Sequence, residues 1–197
     1  QHRLEPIARA AGCGSFSEFL AVLQGANGRV WCDEIIEAIT TNETSFFRDT
    51  HPFAAIRRRI LPELALESKR RKGSGGIGSI RVWCTGVSTG QEVYSLAMVM
   101  EEEIASGRLP GLVGSDVSIL ATDVSTRVLA KAAAGSYSAR ELARGVGSEQ
   151  ERRYFVRDGS TYQIVPALRQ RLEFRKVNLI EPFGYLGAFD LILCRNV

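Results

Sequence analysis

Residues 80–104 read I-R-V-W-C-T-G-V-S-T-G-Q-E-V-Y-S-L-A-M-V-M-E-E-E-I, and the reading of this stretch decides the fold. Residues 80–84 are a short, β-branched and aromatic run that predicts a strand, and residues 85–90 carry two glycines and predict a turn. Val93, Leu96, Ala97, Met100 and Ile104 then recur at i, i+3, i+4, i+7 and i+11, the spacing of one helix face. The alternation continues downstream. Residues 117–121 predict a second strand with Asp123 just beyond its end, residues 125–134 a helix, and residues 189–194 (F-D-L-I-L-C) a third strand. Strand, turn, helix, strand, helix is the pattern of a parallel sheet with crossover helices, so the chain is predicted to be α/β and Rossmann-like.

Outward from this core the pattern changes. Residues 1–68 read as an N-terminal all-helical domain. Ser15 and Glu18 have capping-box spacing, Phe16, Phe19, Leu20 and Leu23 follow at helical intervals, and Gly25 ends the segment. Ile35, Ile36 and Ile39 mark a second helix, and Phe53, Ile56, Ile60 and Leu64 a third that Pro62 is expected to kink or break. Residues 69–79 (K-R-R-K-G-S-G-G-I-G-S) predict a linker to a domain spanning residues 80–197. Residues 137–177 interrupt the alternation: residues 161–165 and 172–177 read as short strands after an Asp158-Gly159 turn, which predicts a small antiparallel β insertion.

Composition narrows the class. With 197 residues, 45% hydrophobic and 24% charged, the chain is large enough for one substantial core. No apolar run reaches the roughly 18 residues of a membrane span, and no signal-peptide pattern opens the chain. Four scattered cysteines without a C-x-x-C pair, and only two histidines, argue against a disulfide framework or a metal site and for reduced thiols in the cytoplasm. The net charge of +3 is modest, although Arg57, Arg58, Arg59, Lys69, Arg70, Arg71 and Lys72 concentrate in one stretch. Without interleaved aromatics this reads as a solvated helix face and basic linker and not a nucleic-acid surface, with docking of an acidic protein surface as the alternative.

In an open α/β sheet, ligands bind beyond the carboxyl ends of the strands. Here that selects the turn after Cys84, the region of Asp123 and the chain after Cys194. The turn T-G-V-S-T-G-Q-E matches neither G-x-G-x-x-G nor the phosphate-loop pattern. A carboxylate at the end of a second strand suits the two hydroxyls of a ribose, with helix capping as the alternative use of Asp123. A glycine turn, a strand-end carboxylate and no phosphate-cradling lysine together point to a nucleoside cofactor without phosphates, a description that S-adenosylmethionine meets.

The order of several motifs carries a family resemblance. Residues 40–48 (T-T-N-E-T-S-F-F-R), followed by His51-Pro52-Phe53, and residues 87–95 (V-S-T-G-Q-E-V-Y-S) resemble signatures of the CheR-type chemotaxis receptor methyltransferases. So do residues 119–132 (I-L-A-T-D-V-S-T-R-V-L-A-K-A), 153–155 (R-Y-F), 174–179 (F-R-K-V-N-L) and 189–197 (F-D-L-I-L-C-R-N-V), in family order across nearly the whole chain. The resemblance implies a class I methyltransferase sheet, S-adenosylmethionine as methyl donor with S-adenosylhomocysteine as product, and glutamate carboxylates on acidic helices of methyl-accepting chemotaxis receptors as acceptors. It further implies that Asn42, Thr44 and Arg48 lie over the cofactor, that Glu92 takes the methionyl ammonium and that Asp123 holds the ribose. Asn178-Leu179 and Asn196-Val197 would line the adenine and methionine side, with Arg48 the candidate catalytic residue that orients the acceptor. Read alone, Thr44 is a helix cap, Arg48 a surface ion pair, Asn178 and Asn196 turn residues, and Tyr94, Phe46 and Phe47 core.

Three departures from the family pattern stand out. Gln91 replaces the first of two glutamates and Val93 a proline, both expected at the edge of the site. The family pattern also continues past Val197 with an I-Y-F segment and further strands, so the chain reads as part of a longer protein. Its last strand is then expected to be an open edge capable of self-association. Alternative functions are a non-catalytic relative that binds the cofactor as a signalling module, and a methyltransferase for another carboxylate.

Overall fold

A computed structural model describes residues 2–26, 28–76 and 78–197; Ile77, within the expected linker, lies outside the described residues. The chain divides into two compact units, Gln1–Asn42 and Glu43–Val197. The first holds α1 (Glu5–Ala10), α2 (Phe16–Gln24), a 3-10 turn (Gly28–Trp31) and α3 (Cys32–Ile39). Ser15 caps α2 as its spacing predicts, its hydroxyl accepting the N–H of Glu18 at 3.2 Å, while the Glu18 carboxylate accepts the N–H of Gly14 at 2.7 Å. Gly25 ends the helix.

The second unit opens with a helical run: α4 (Thr50–Ala55), a π-helical turn (Ile56–Ile60) and α5 (Leu61–Gly73). Pro62 neither breaks nor ends this run. It sits in the first turn of α5, where a missing N–H is harmless, and the wider π turn just before it absorbs the displaced backbone. Phe53, Ile56, Leu61 and Ala65 belong to the same core as the sheet strands. Compactness therefore places this run with the sheet, not with a helical domain ending at residue 68.

The expected linker is also corrected at its start, because α5 continues through Lys69–Lys72 to Gly73. These residues stay helical because their side chains find partners at the base of the sheet. Arg71 donates to Asp190 Oδ1 at 2.7 Å and to the Ser79 carbonyl at 2.9 Å, and Lys72 donates to Asp116 at 2.8 Å.

Four parallel strands follow: β1 (Ile80–Thr85), β2 (Val117–Asp123), β6 (Leu172–Lys176) and β7 (Leu191–Cys194), in the order β6-β2-β1-β7. Side chains alternate as the pleat demands. Val82, Cys84, Ile119 and Ala121 face the main core, while Trp83 and Leu120 face a second cluster with Val177 and Leu186. Between β1 and β2 runs α6 (Gln91–Ala105), buried on nearly every side; Val93, Leu96, Ala97 and Met100 face inward as their spacing predicts, joined by Tyr94, Met98 and Val99. The helix after β2, α7 (Thr126–Ala134), is capped by the Ser125 hydroxyl, which accepts the N–H of Val128 at 3.2 Å.

The antiparallel insertion exists with different members. It consists of β3 (Ser136–Ser138), β4 (Phe155–Asp158) and β5 (Thr161–Ile164) in the order β3-β5-β4, with short helices α8 (Ala139–Leu142) and α9 (Ser148–Tyr154) between β3 and β4. The turn at Asp158-Gly159 joins β4 to β5. Residues 172–177, expected in this insertion, instead pair in parallel with β2, from Ile119↔Leu172 to Asp123↔Lys176. Leu172 and Phe174 pack against the main core, while Glu173 and Arg175 face outward, a charged edge strand.

One buried charge tests the packing of α6. Glu103 is 3% exposed and accepts from Arg108 Nε at 2.6 Å, Arg108 Nη2 at 2.7 Å and Arg57 Nη1 at 2.9 Å. The hydrogen bonds from Arg108, against the opposing effect of burial, and those from Arg57 hold its carboxyl below the usual glutamate range. A depressed folded-state value means that the stabilisation is complete above the ordinary carboxylate range and is lost as pH falls through the lower folded-state value. Glu103→Gln should therefore lower the urea-unfolding free energy by about 2 kcal/mol near neutral pH. The gap from the parent chain should narrow as pH falls below the ordinary carboxylate range and through the lower folded-state value, and a gap independent of pH would contradict this assignment.

Candidate cofactor site

The site is built at the carboxyl ends of the parallel strands. After β1 the chain turns through Gly86, Val87, Ser88, Thr89 and Gly90 into α6. Gly86 has φ +59° and a Cβ there would lie 2.8 Å from Val197; Gly90 has φ +93° and a Cβ there would lie 2.9 Å from both Ala132 and the Tyr137 hydroxyl. Both glycines are thus demanded by backbone conformation and by close approach. Ser88 also has a positive φ, +50°, without being glycine.

What holds Ser88 there is Asp123, the last residue of β2. One carboxylate oxygen accepts the N–H of Ser88 at 2.8 Å and the other accepts the N–H of Ser125 at 3.0 Å. The Val87 N–H adds a bond to the Thr122 carbonyl at 3.1 Å. The buried carboxylate therefore ties the glycine turn to the start of α7, while Ser125, not Asp123, caps that helix. A carboxylate oxygen can accept more than one hydrogen bond, so this bracing role is compatible with holding ribose hydroxyls.

Glu92 lies in the first turn of α6, where the helix dipole favours negative charge. Its carboxylate is bonded by Arg195, which also donates to Asp49 at 2.7 Å. Burial pushes the Glu92 carboxyl up, the positive charges of Arg195 and Arg48 pull it back, and Asp49 adds to the rise. The same burial, reinforced by Glu92, drives the Cys84 thiol far above its ordinary range, so that cysteine is a core residue and not a nucleophile. Arg48 donates to the Glu43 carbonyl at 2.9 Å in the irregular stretch before α4, and the N–H of Phe47 donates to Ser95 of α6 at 2.9 Å.

The structure thus gathers Arg48, Glu92 and Asp123 with the turns after β6 and β7. The Val177 N–H bonds the Asp123 carbonyl at 3.0 Å, which sets Asn178 and Leu179 just beyond β2. Asn178 also orders its own turn, accepting from the Ile180 N–H at 3.1 Å. Asn196 and Val197 follow β7, with Val197 against Gly86. Thr44 is half-buried in the stretch before α4 and is not its cap, a position taken by Asp49. Asn42 is the last residue of the first compact unit. Tyr94 and Phe46 are buried core residues as expected. Val93, expected at the site's edge, is fully buried in the core because it lies on the inner face of α6.

Sequence reasoning missed Arg195 and Asp49. Arg195 was visible only as a charge directly after an apolar strand, and Asp49 as the residue next to Arg48. A backbone signal was not visible at all: Phe47, Asp49, Ser88 and Asn196, the non-glycine residues with positive φ among those described, all lie in these same segments. Strain of this kind persists where the surroundings over-determine it, characteristically at ligand sites.

An anionic side chain beside two guanidiniums, next to a strand-end carboxylate, suits a ligand that is both zwitterionic and a nucleoside, as S-adenosylmethionine is. Comparison with known proteins agrees. Residues 42–197 match the family described as "CheR methyltransferase, SAM binding domain". The chain is 38% identical over 196 residues to Chemotaxis protein methyltransferase 1 of Pseudomonas aeruginosa, spanning 99% of this chain and 68% of that protein. It is 33% identical to Chemotaxis protein methyltransferase Cher2 of Pseudomonas putida over the same shares. To the Chemotaxis protein methyltransferase of Listeria monocytogenes it is 38% identical over 184 residues, 93% of this chain and 62% of that protein.

Asp123→Ala leaves two N–H donors of the site without their acceptor. It is expected to lower stability by about 2 kcal/mol. It should also weaken calorimetric binding of S-adenosylhomocysteine by at least about tenfold, as expected for lost hydrogen bonds to a charged group. Unchanged affinity would remove Asp123 from the site.

Proposed function

This chain belongs to the CheR methyltransferase family, enzymes that use S-adenosylmethionine as methyl donor, and on that premise we propose that it esterifies glutamate side chains of a chemotaxis receptor in the cytoplasm. The observation that carries this reading is the charge cluster around Glu92. The methionyl end of the donor presents an ammonium and a carboxylate, and Glu92 with Arg48 and Arg195 supplies one partner for each. Asp123 holds the ribose, and Asn178, Leu179, Asn196 and Val197 flank the rest of the nucleoside, with Asn42 and Thr44 contributing from the segment before Arg48.

When bound, the donor supplies a sulfonium-activated methyl group. The chain's own residues act by placement. A glutamate acceptor is already ionised at neutral pH, so no general base is required. The guanidinium of Arg48 has the planar fork that aligns a carboxylate, and its side chain is anchored to the Glu43 carbonyl. Alignment of this kind is worth several kcal/mol of barrier, roughly 7 or more in well-oriented systems.

The test is transfer of a labelled methyl group to receptor-containing membranes. Base-labile label on receptor glutamate, formed by the parent chain or by the chain extended to the length of its relatives, is the expected result. Glu92→Gln should weaken S-adenosylhomocysteine binding by about tenfold or more. Label that resists base, or that appears on a different acceptor, would overturn the receptor-ester reading while leaving the donor site standing.

A further inference from the structure

The glycine turn is gripped from a second side, by the corner where β3 runs into α8. Tyr137 is 1% exposed, and its hydroxyl donates to the Thr89 carbonyl at 2.8 Å. The Thr89 hydroxyl donates to Gln91 Oε1 at 2.7 Å, and Gln91 Nε2 points at Glu141 Oε1 at 3.5 Å. Glu141 closes the corner: it accepts the Ser138 N–H and hydroxyl, both at 2.9 Å, and is ion-paired with Lys131 of α7. Thr89 is thus held through its backbone by Tyr137 and through its side chain by Gln91, which faces Glu141.

We propose that Gln91 is a positioning residue for the methyl donor, a neutral link that lets the Tyr137–Glu141 corner clamp Thr89 and set the shape of the cofactor turn. The inference rests on the assignment of that turn to the donor. It explains the departure at this position: Gln91 is 3% exposed and faces an acidic side chain, so a glutamate there would place a second carboxylate beside Glu141. Burial works against ionisation of Glu141, but hydrogen bonds from Lys131 and Ser138 outweigh it and hold its carboxyl below the usual range. The charged and titratable groups facing the pair are Lys131 from α7, Tyr137 from β3 and, through Tyr137, Tyr94 from α6; burial raises both tyrosines, so neither titrates near neutrality. Lys131 alone cannot neutralise two carboxylates. Glu92, the next residue, is turned to Arg195 and takes no part.

Calorimetric titration of S-adenosylhomocysteine into the chain and its variants tests this. Gln91→Glu should bind about tenfold more weakly near pH 7.5, because adjacent carboxylates repel and pull on Thr89. As pH falls toward about 5.5 the pair takes up one proton and regains the parent's charge, so affinity should return to within about threefold of the parent. Adding Glu141→Gln to Gln91→Glu should restore affinity at both pH values, and Tyr137→Phe should weaken binding at both. Thermal unfolding of each variant separates these effects from loss of fold. A Gln91→Glu variant that binds like the parent, or one whose loss neither pH nor the second substitution relieves, would overturn the clamp. Absence of binding by the parent chain itself would overturn the donor assignment on which the clamp rests, an outcome distinct from the other two.

Discussion

The carboxylate of Asp123, receiving the N–H groups of Ser88 and Ser125, is the interaction on which the rest of the site depends. It joins the turn after β1 to the start of the helix after β2, and it keeps Ser88 in a left-handed conformation that a serine does not adopt for local reasons. With that bond in place, Gly90 can start α6 against Ala132 and Tyr137, and Glu92 falls in the first turn of α6 on the open side of the sheet. A buried carboxylate satisfied by backbone donors gives a rigid anchor because Asp123 ends a strand paired in parallel with β6, and its donors lie in the turns directly after β1 and β2.

Around this anchor the site balances burial against charge. Burial disfavours the ionised form of Glu92, and the guanidiniums of Arg195 and Arg48 offset part of that effect, leaving its carboxyl above the usual range. Arg195 in turn bridges to Asp49, so segments before α4, at the start of α6 and after β7 are joined through one side chain. The strained residues Phe47, Asp49, Ser88 and Asn196 lie in these segments or in the adjoining turn. The core beneath can sustain that strain because α6 is enclosed on nearly all sides, with Tyr94, Leu96, Met98 and Val99 having no exposed surface.

The antiparallel insertion shares in this framework. Tyr137 packs edge-on against Phe46 with ring centroids 5.0 Å apart, and its hydroxyl reaches the cofactor turn. Phe46 meets Phe155 of β4 in the same manner at 5.6 Å. Aromatic contacts of this geometry fix orientation as well as bury area. The segment carrying Arg48 is thereby seated on the insertion as well as on α6, through Phe46 on one side and the Phe47 bond to Ser95 on the other.

By itself the sequence determined the elements whose signals are local. Short strand-type runs located β1 and β2, helical spacing located α6, the strand–helix alternation placed α7, Ser15 and Ser125 marked helix starts, and motif order pointed to the family and its donor. Tertiary structure decided everything that depends on partners. The alternation in L-E-F-R-K identifies a strand but not its neighbour, and only pairing with β2 placed it in the parallel sheet. Basic residues at 69–72 read as a linker until Asp116 and Asp190 supplied counter-charges. Pro62 breaks an isolated helix but not one with a π turn before it and a core beneath it. Arg195 gained meaning only when folding set it beside Glu92, about a hundred residues away in sequence. Patterning is a property of one segment and is legible in it; pairing, charge neutralisation and backbone strain are properties of two segments at once, and no single stretch of sequence contains them.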